Sequence, residues 1–218
     1  MNLADRHRPR SLADIVGQPG PVRYLRRLVE APQRACILRE SPMGGTGKSA
    51  TAQAFAAELG CHDEFTGLWR VGCADFGVET ARELFGRTLR LRWGSTSGFA
   101  VLVLEELDWL SPQTQRFLKD ALDPLGSMPS KLCVVGTSNG AGGLLPALLQ
   151  RFRVFSFSSG PTFAAACQER LAQIWAAEAP GRVMPPGWQS WGYRDGEYSM
   201  RLALASLEDA LLVQGVAA

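Results

Sequence analysis

Apolar residues recur at helical spacing over 20–31, where Val22, Leu25, Leu28 and Val29 share one face. A short apolar run, Ala35 to Leu38, then suits a buried strand. Next comes Glu40-Ser41-Pro42-Met43-Gly44-Gly45-Thr46-Gly47-Lys48-Ser49, followed by an alanine-rich helix over 49–59 that Gly60 ends. Residues 78–90 read as another helix. Phe99 to Leu104 is an uninterrupted apolar run, the pattern of a strand covered on both faces. Over 111–122 a helix is expected, with Ser111 as its N-cap and Pro112 in its first turn. Leu132 to Val135 reads as a third buried strand and Val154 to Phe157 as a fourth. Strands alternating with helices predict a parallel α/β sheet flanked by helices.

Beyond Gly160-Pro161 the pattern changes. Residues 162–178 and 197–214 read as helices, and nothing between them reads as a strand. The join, 180–196, is rich in Pro, Gly and Trp. The expected division is therefore an α/β domain over 1–160 and a small all-helical domain over 161–218.

Composition narrows the class of protein. With 46% hydrophobic and 20% charged residues, the 218-residue chain can fold around a packed core. A formal net charge of +2 means that any grip on nucleic acid must come from a local patch. The 5 cysteines (Cys36, Cys61, Cys73, Cys133 and Cys167) are scattered and include no CxxC pair, which argues against a disulfide framework or a zinc module. Free thiols in a reducing cytoplasm are the expectation. The polar, basic start, Met1 to Arg10, does not read as a signal peptide. No stretch approaches the roughly 20 apolar residues that span a bilayer.

The candidate chemistry centres on Gly44, Gly45, Thr46, Gly47, Lys48 and Ser49, set between a strand and a helix. Glycines let backbone N–H groups turn toward a polyphosphate, and the positive end of the following helix adds attraction for the anion. Lys48 is expected to reach the β- and γ-phosphates, and the Ser49 hydroxyl to bind Mg²⁺. The strict pattern G-x-x-x-x-G-K-[ST] puts Pro42 where its first glycine belongs. Either Pro42 replaces that glycine or the loop is one residue longer and starts at Ser41; the longer loop is favoured.

Two other strands end in polar residues. Val101 to Leu104 runs into Glu105, Glu106 and Asp108. Beside a phosphate loop, Glu105 would support the metal and Glu106 would polarise the attacking water. Leu132 to Val135 leads to Thr137, Ser138 and Asn139, and ligands sit at the carboxyl ends of strands in open parallel sheets. Asn139 would orient that water or touch the γ-phosphate.

Together these pieces resemble the AAA+ ATPases, and within them the clamp-loader group of replication factor C small subunits. His7-Arg8-Pro9 and Asp14-Ile15-Val16-Gly17-Gln18 are similar to the segment that wraps adenine in that family. The resemblance implies base contacts at Ile15 and Val16, with Arg8 and Pro9 nearby. Cys73 to Val78 partly matches a further family segment, without its asparagine, serine and arginine. Asp108 to Gln115 resembles the stretch after the acidic strand. In Leu149-Gln150-Arg151-Phe152, Gln150 stands where the family has serine. Arg151 is then an arginine finger acting on the neighbouring subunit's nucleotide. Ser199-Met200-Arg201 resembles the lid motif whose arginine senses the γ-phosphate, with Tyr198 in place of a glycine. Clamp-loader subunits carry a further helical collar domain, whereas this sequence ends at Ala218. That is expected of a minimal AAA+ module, or of a ring held by ATPase contacts alone.

The resemblance implies an ATP- and Mg²⁺-dependent ATPase in a homo- or hetero-oligomeric ring, acting on DNA or on a DNA-bound protein such as a sliding clamp. Arg82, Arg87, Arg90 and Arg92, with Arg116 and Lys119, would line the ring interior and track phosphates. Solvated helix faces would look the same. Two other readings stay open: a nucleotide-binding scaffold subunit with weak hydrolysis, and a remodeller of protein clients with Phe76 as its pore-loop aromatic. Trp188, Trp191 and Tyr193 either dock a partner or pack the small domain.

Overall fold

The computed structural model describes residues 2–215 apart from 41–42, 91–93, 124 and 126–127; for residues 36, 38–40 and 141 it describes the backbone only. The elements run α1 (Leu3–Arg6), α2 (Pro19–Glu30), β1 (Ala35–Glu40), α3 (Lys48–Glu58), β2 (Leu68–Gly72), α4 (Val78–Gly86), β3 (Ala100–Glu105), α5 (Pro112–Ala121), β4 (Leu132–Ser138), α6 (Pro146–Leu149), β5 (Arg153–Ser156), α7 (Pro161–Glu178), β6 (Tyr193–Arg194), β7 (Glu197–Tyr198) and α8 (Met200–Val213). The first five strands form one parallel sheet in the order β2-β3-β4-β1-β5.

The period of two along a strand divides the core. Val101, Val103, Cys133, Val135 and Ile37 face Leu25 and Leu28 of α2 and Ala52 and Phe55 of α3. Leu102, Leu104, Leu132 and Val134 face Leu84 and Phe85 of α4 and Leu118 of α5. Both faces of β3 and β4 are thus covered, which is why these strands read as unbroken apolar runs. Each fully buried Leu or Phe contributes roughly 1.5–3 kcal/mol relative to exposure.

Edge strand β2 departs from the sequence expectation, which included no strand there. Its Leu-Trp-Arg-Val-Gly sequence is only half covered: Leu68 is buried, while Trp69 and Val71 pack partly against the α4 side. An edge strand carrying an arginine has no long apolar run to announce it. The helix expected over 78–90 ends at Gly86 and continues as a short 3₁₀ turn, Thr88–Arg90. Ser111 caps α5 as expected, its hydroxyl accepting from the Thr114 N–H at 3.2 Å, with Pro112 in the first turn.

The C-terminal region is helical, and it also holds a small antiparallel hairpin, β6–β7. Its turn is Asp195-Gly196, both with positive φ (52° and 82°). Asp-Gly between short strands is the residue pair that a two-residue turn of this hand favours. A third cluster, Phe163, Cys167, Leu171, Trp175, Tyr198, Leu207 and Leu211, forms this region's core. Trp188 and Trp191 pack against it, while Tyr193 lies edge-on to Tyr198 at 5.0 Å between centroids. Leu3 joins the same cluster, and its N–H donates to Glu208 Oε1 at 3.0 Å. Arg6 and His7 both reach Glu178 of α7, at 3.1 and 2.6 Å.

Candidate nucleotide-binding site

The phosphate loop joins β1 to α3. Gly45 (φ 81°) and Gly47 (φ 91°) occupy the left-handed region that a side chain resists. At Gly45 a side chain would also collide with Ser199 Oγ and come within 2.9 Å of Arg201 Cβ. The lid helix α8 therefore starts on the loop, and the Met200 N–H donates to the Gly45 carbonyl at 3.1 Å. Between the glycines Thr46 is buried, and its hydroxyl has no hydrogen-bond partner among the described residues. Lys48 and Ser49 form the first turn of α3. Lys48 Nζ donates to Asn139 Oδ1 at 2.9 Å and to the Met43 carbonyl at 3.3 Å. Burial pulls the Lys48 ammonium below its usual range, Asp108 opposes that shift, Arg201 adds to it and Glu106 opposes it. A partly buried cation of this kind favours an anionic ligand. Ser41 and Pro42, on which the length of the loop turns, lie outside the described residues.

At the end of β3 the backbone turns sharply. Glu106 has φ 60° and ψ 57°, a left-handed conformation that costs a non-glycine residue roughly 1–3 kcal/mol. The Glu106 N–H donates to Thr137 Oγ1 of β4 at 3.1 Å, which fixes the turn, and the side chain is exposed. Glu105 is ion-paired with Arg70 of β2, Oε1 to Nη2 at 3.0 Å. Asp108 Oδ1 accepts from the Asn139 N–H at 3.2 Å, so the acid two residues beyond Glu106 holds the backbone at Asn139. No role for Asp108 was assigned from sequence, although the run Glu105-Glu106-Leu107-Asp108 carried the signal. Gln115 is a second such residue: its amide donates to the Leu110 and Gly143 carbonyls, both at 3.0 Å, and accepts from the Leu145 N–H at 2.7 Å. It ties α5 to the loop that follows Asn139.

The N-terminal segment runs along the seam between sheet and lid. Ile15 packs against the cluster under α2 and α3, and Val16 against the lid cluster. Gly17 (φ 68°) lies against Phe163 of α7 so closely that a Cβ would sit 2.6 Å from its ring. Pro9 is half-buried, and Arg8 Nη1 donates to Gln53 Oε1 of α3 at 3.1 Å. Gln18, only 3% exposed, is the keystone that sequence reasoning missed. Its Nε2 donates to the Thr46 carbonyl at 3.2 Å and the Ser158 carbonyl at 2.9 Å, and its Oε1 accepts from the Ser158 N–H at 3.0 Å. One side chain thus joins the phosphate loop, the N-terminal segment and the link from β5 to α7.

Over residues 41–159, more than half of the chain, the sequence matches the profile of the ATPase family associated with various cellular activities (AAA). The chain belongs to this family. It is 26% identical over 187 residues to replication factor C subunit 3 of Blastobotrys adeninivorans, covering 85% of this chain and 53% of that protein. Against the replication factor C small subunit of Archaeoglobus fulgidus the identity is 26% over 216 residues, 96% of this chain and 63% of the relative. The chain thus spans roughly half to two-thirds of the length of these curated relatives. Among solved structures, the Thermotoga maritima RuvB Holliday junction branch migration motor shares the fold with a TM-score of 0.72 at 19% identity, over 96% of this chain and 68% of that one. A DNA polymerase III gamma subunit-related protein of the same organism has a TM-score of 0.61 at 13% identity, over 88% of this chain and 60% of that one.

In this AAA chain the remaining candidates divide into those at the loop and those away from it. Arg201 is at the loop: its Nη1 lies 3.9 Å from where a Gly44 side chain would begin. Arg151 is away from it. Its Nη2 pairs with Asp123 at 2.9 Å and its Nε donates to the Lys119 carbonyl at 3.2 Å; among the described residues it makes no hydrogen bond or ion pair to its own loop. The basic face of α4 is less basic than the sequence suggests. Glu79 pairs with Arg82, and one surface groove is lined by Glu79, Arg82, Glu83 and Arg87 together. Arg90 Nε donates to the Phe85 carbonyl at 3.2 Å, Lys119 pairs with Asp120 at 2.9 Å, and Arg116 is exposed. Arg92 lies outside the described residues. Phe76 is buried in the core at 4% exposure, so it does not present an aromatic to a pore. Among the described residues no helix is long and apolar enough to cross a membrane.

Proposed function

We propose that this chain binds ATP with Mg²⁺ and hydrolyses it as one subunit of a ring that acts on DNA or on a DNA-bound protein. The observation that carries this reading is the convergence of Lys48, Asn139 and the lid residue Arg201 on a glycine loop at a helix N-terminus. Each comes from a different element, and only a polyanion uses all of them.

The roles follow from position. N–H groups of Gly44 to Lys48 and the Lys48 ammonium hold the β- and γ-phosphates, with Thr46 buried between the glycines. The Thr46 hydroxyl, without a partner among the described residues, and the left-handed glycines fit a polyphosphate cradle. Ser49 and Glu105 would hold Mg²⁺. Mg²⁺ is ordinarily held by one or two protein oxygens together with water and substrate phosphates, and this pair fits that pattern. Bound there, Mg²⁺ would supply charge neutralisation to the phosphates. Asn139, held by Asp108, orients a water toward the γ-phosphorus, and Glu106 takes its proton. The oxygen–phosphorus bond to the γ-phosphoryl group breaks, leaving ADP and phosphate. Arg201 reads the γ-phosphate from the lid, and Arg151 stabilises developing charge on a neighbour's nucleotide. Ile15 and Val16, with Arg8 and Pro9 beside them, flank the base.

The names of the relatives support DNA as the setting: replication factor C subunits in sequence and a branch migration motor in fold. Arg82, Arg87, Arg90, Arg116 and Lys119 are the candidate phosphate contacts, weakened by the intervening Glu79 and Glu83. One observation favours the second reading, a binding subunit with weak hydrolysis: Glu105 is engaged by Arg70. ATP turnover of the purified chain, with and without primed DNA, decides between them. Turnover stimulated by DNA and lost in Glu106→Gln and Arg151→Ala supports the ring motor. Tight ATP binding with no turnover under any condition favours the scaffold subunit.

A further inference from the structure

The sheet order gives the Glu105–Arg70 contact a direction. β3 lies between β2 and β4, and β1, which feeds the phosphate loop, lies beyond β4. Gly72 of β2 stands opposite Glu105 and Arg70 stands opposite Val103, so Arg70 and Glu105 share one face of the sheet. Gly72 has no side chain to meet Glu105, and the long arm of Arg70 reaches across the diagonal instead, Nη2 to Oε1 at 3.0 Å. Because Arg70 sits on the outer side of β3, the pair draws the carboxylate toward the sheet edge, away from Lys48 and Ser49. The extra methylene of a glutamate, relative to an aspartate, is what lets the carboxylate swing that far. Both side chains are partly exposed, 45% for Arg70 and 29% for Glu105, so the pair is weak enough to open.

We propose that Arg70 is a positioning residue that competes with Mg²⁺ for Glu105. The ion pair holds the carboxylate off the metal position, and nucleotide-bound Mg²⁺ must displace the guanidinium to recruit it. Metal dependence of nucleotide binding is thereby shifted to higher Mg²⁺. This rests on the nucleotide reading above and adds a residue that the reaction does not touch directly.

The test uses the full chain and a fluorescent ATP analogue, with affinity measured across a Mg²⁺ titration for wild type, Arg70→Gln, Arg70→Lys, Glu105→Asp and the double variant Arg70→Gln/Glu105→Gln. In Arg70→Gln the Mg²⁺ midpoint is expected to fall about 2- to 5-fold, the range set by an exposed ion pair. Glu105→Asp, too short to reach Arg70, shifts it in the same direction, and Arg70→Lys shifts it less. With Glu105→Gln measured alone as the reference, adding Arg70→Gln to it leaves the Mg²⁺ midpoint where that single variant has it, and affinity in EDTA is the same for wild type, Arg70→Gln and Arg70→Lys. A midpoint in Arg70→Gln that is unchanged or higher overturns the competition, with melting temperatures showing that the fold is intact. Absence of nucleotide binding by the wild type, with or without Mg²⁺, overturns the site reading itself and this inference with it.

Discussion

Lys48 and Arg151 are both cations anchored by oxygen atoms of their own chain, yet they serve different ends of the molecule. Lys48 sits where β1, β4 and the lid meet, bonded to Asn139 and close to Arg201. Arg151 sits before β5, bonded to the Lys119 carbonyl in the last turn of α5 and to Asp123 just beyond that helix. One chain assembles the first half of the proposed hydrolysis site. The second half, in the proposal above, comes from Arg151 of another copy. The intrachain contacts of Arg151 show how it is held, and the trans role proposed for it is what the mixing experiment below tests.

Four measurements break or sharpen this contrast. The largest effect is expected at the trans half: Arg151→Ala should lower turnover by about 10³-fold or more while leaving ATP affinity nearly unchanged. An equal fall in affinity would place Arg151 in the cis site instead. Glu106→Gln, in the cis half, should lower turnover by roughly 10²–10⁴-fold. Mixing these two inactive variants should restore part of the activity, because some interfaces then combine an intact Glu106 with an intact Arg151. No restoration at any ratio would sink the trans assignment.

The third measurement concerns the frame that holds the cis half. Gln18→Ala leaves the Thr46 and Ser158 backbone groups without their partner, and unfolding should cost about 1–3 kcal/mol less, read as a lower urea midpoint. An unchanged midpoint would mean that water replaces the amide. The smallest effect is a pH slope. Burial pushes the Cys73 thiol from the usual 9.0 up to about 12, with Asp108, Glu105 and Glu106 adding to the shift. The unfolded chain therefore loses this proton first as pH rises. Stability is unaffected below about 9 and falls between 9.0 and about 12. Cys61 and Cys167, raised to about 11 and about 12 by burial, act in the same direction. Urea midpoints above pH 9 should fall less steeply in Cys73→Ala, and an identical slope would refute its contribution.

Much of the fold was legible in local pattern. Val101 to Leu104 and Leu132 to Val135 are apolar at every position because both sheet faces are covered there. Gly44 to Ser49 announced a phosphate loop because few backbones need glycine at those spacings before a lysine. Strand β2 escaped notice because an edge strand is half solvated, and the Asp195-Gly196 hairpin because two-residue strands leave no periodicity.

The sequence alone determined which residue types stand at the ends of β1, β3 and β4, since apolar runs and turn chemistry act over a few neighbours. Tertiary structure decided their partners. Gln18 reaches Ser158 across 140 positions, Leu3 joins the lid core, and Arg70 meets Glu105 only because β2 lies beside β3. Those choices depend on distances in space, which no local periodicity encodes.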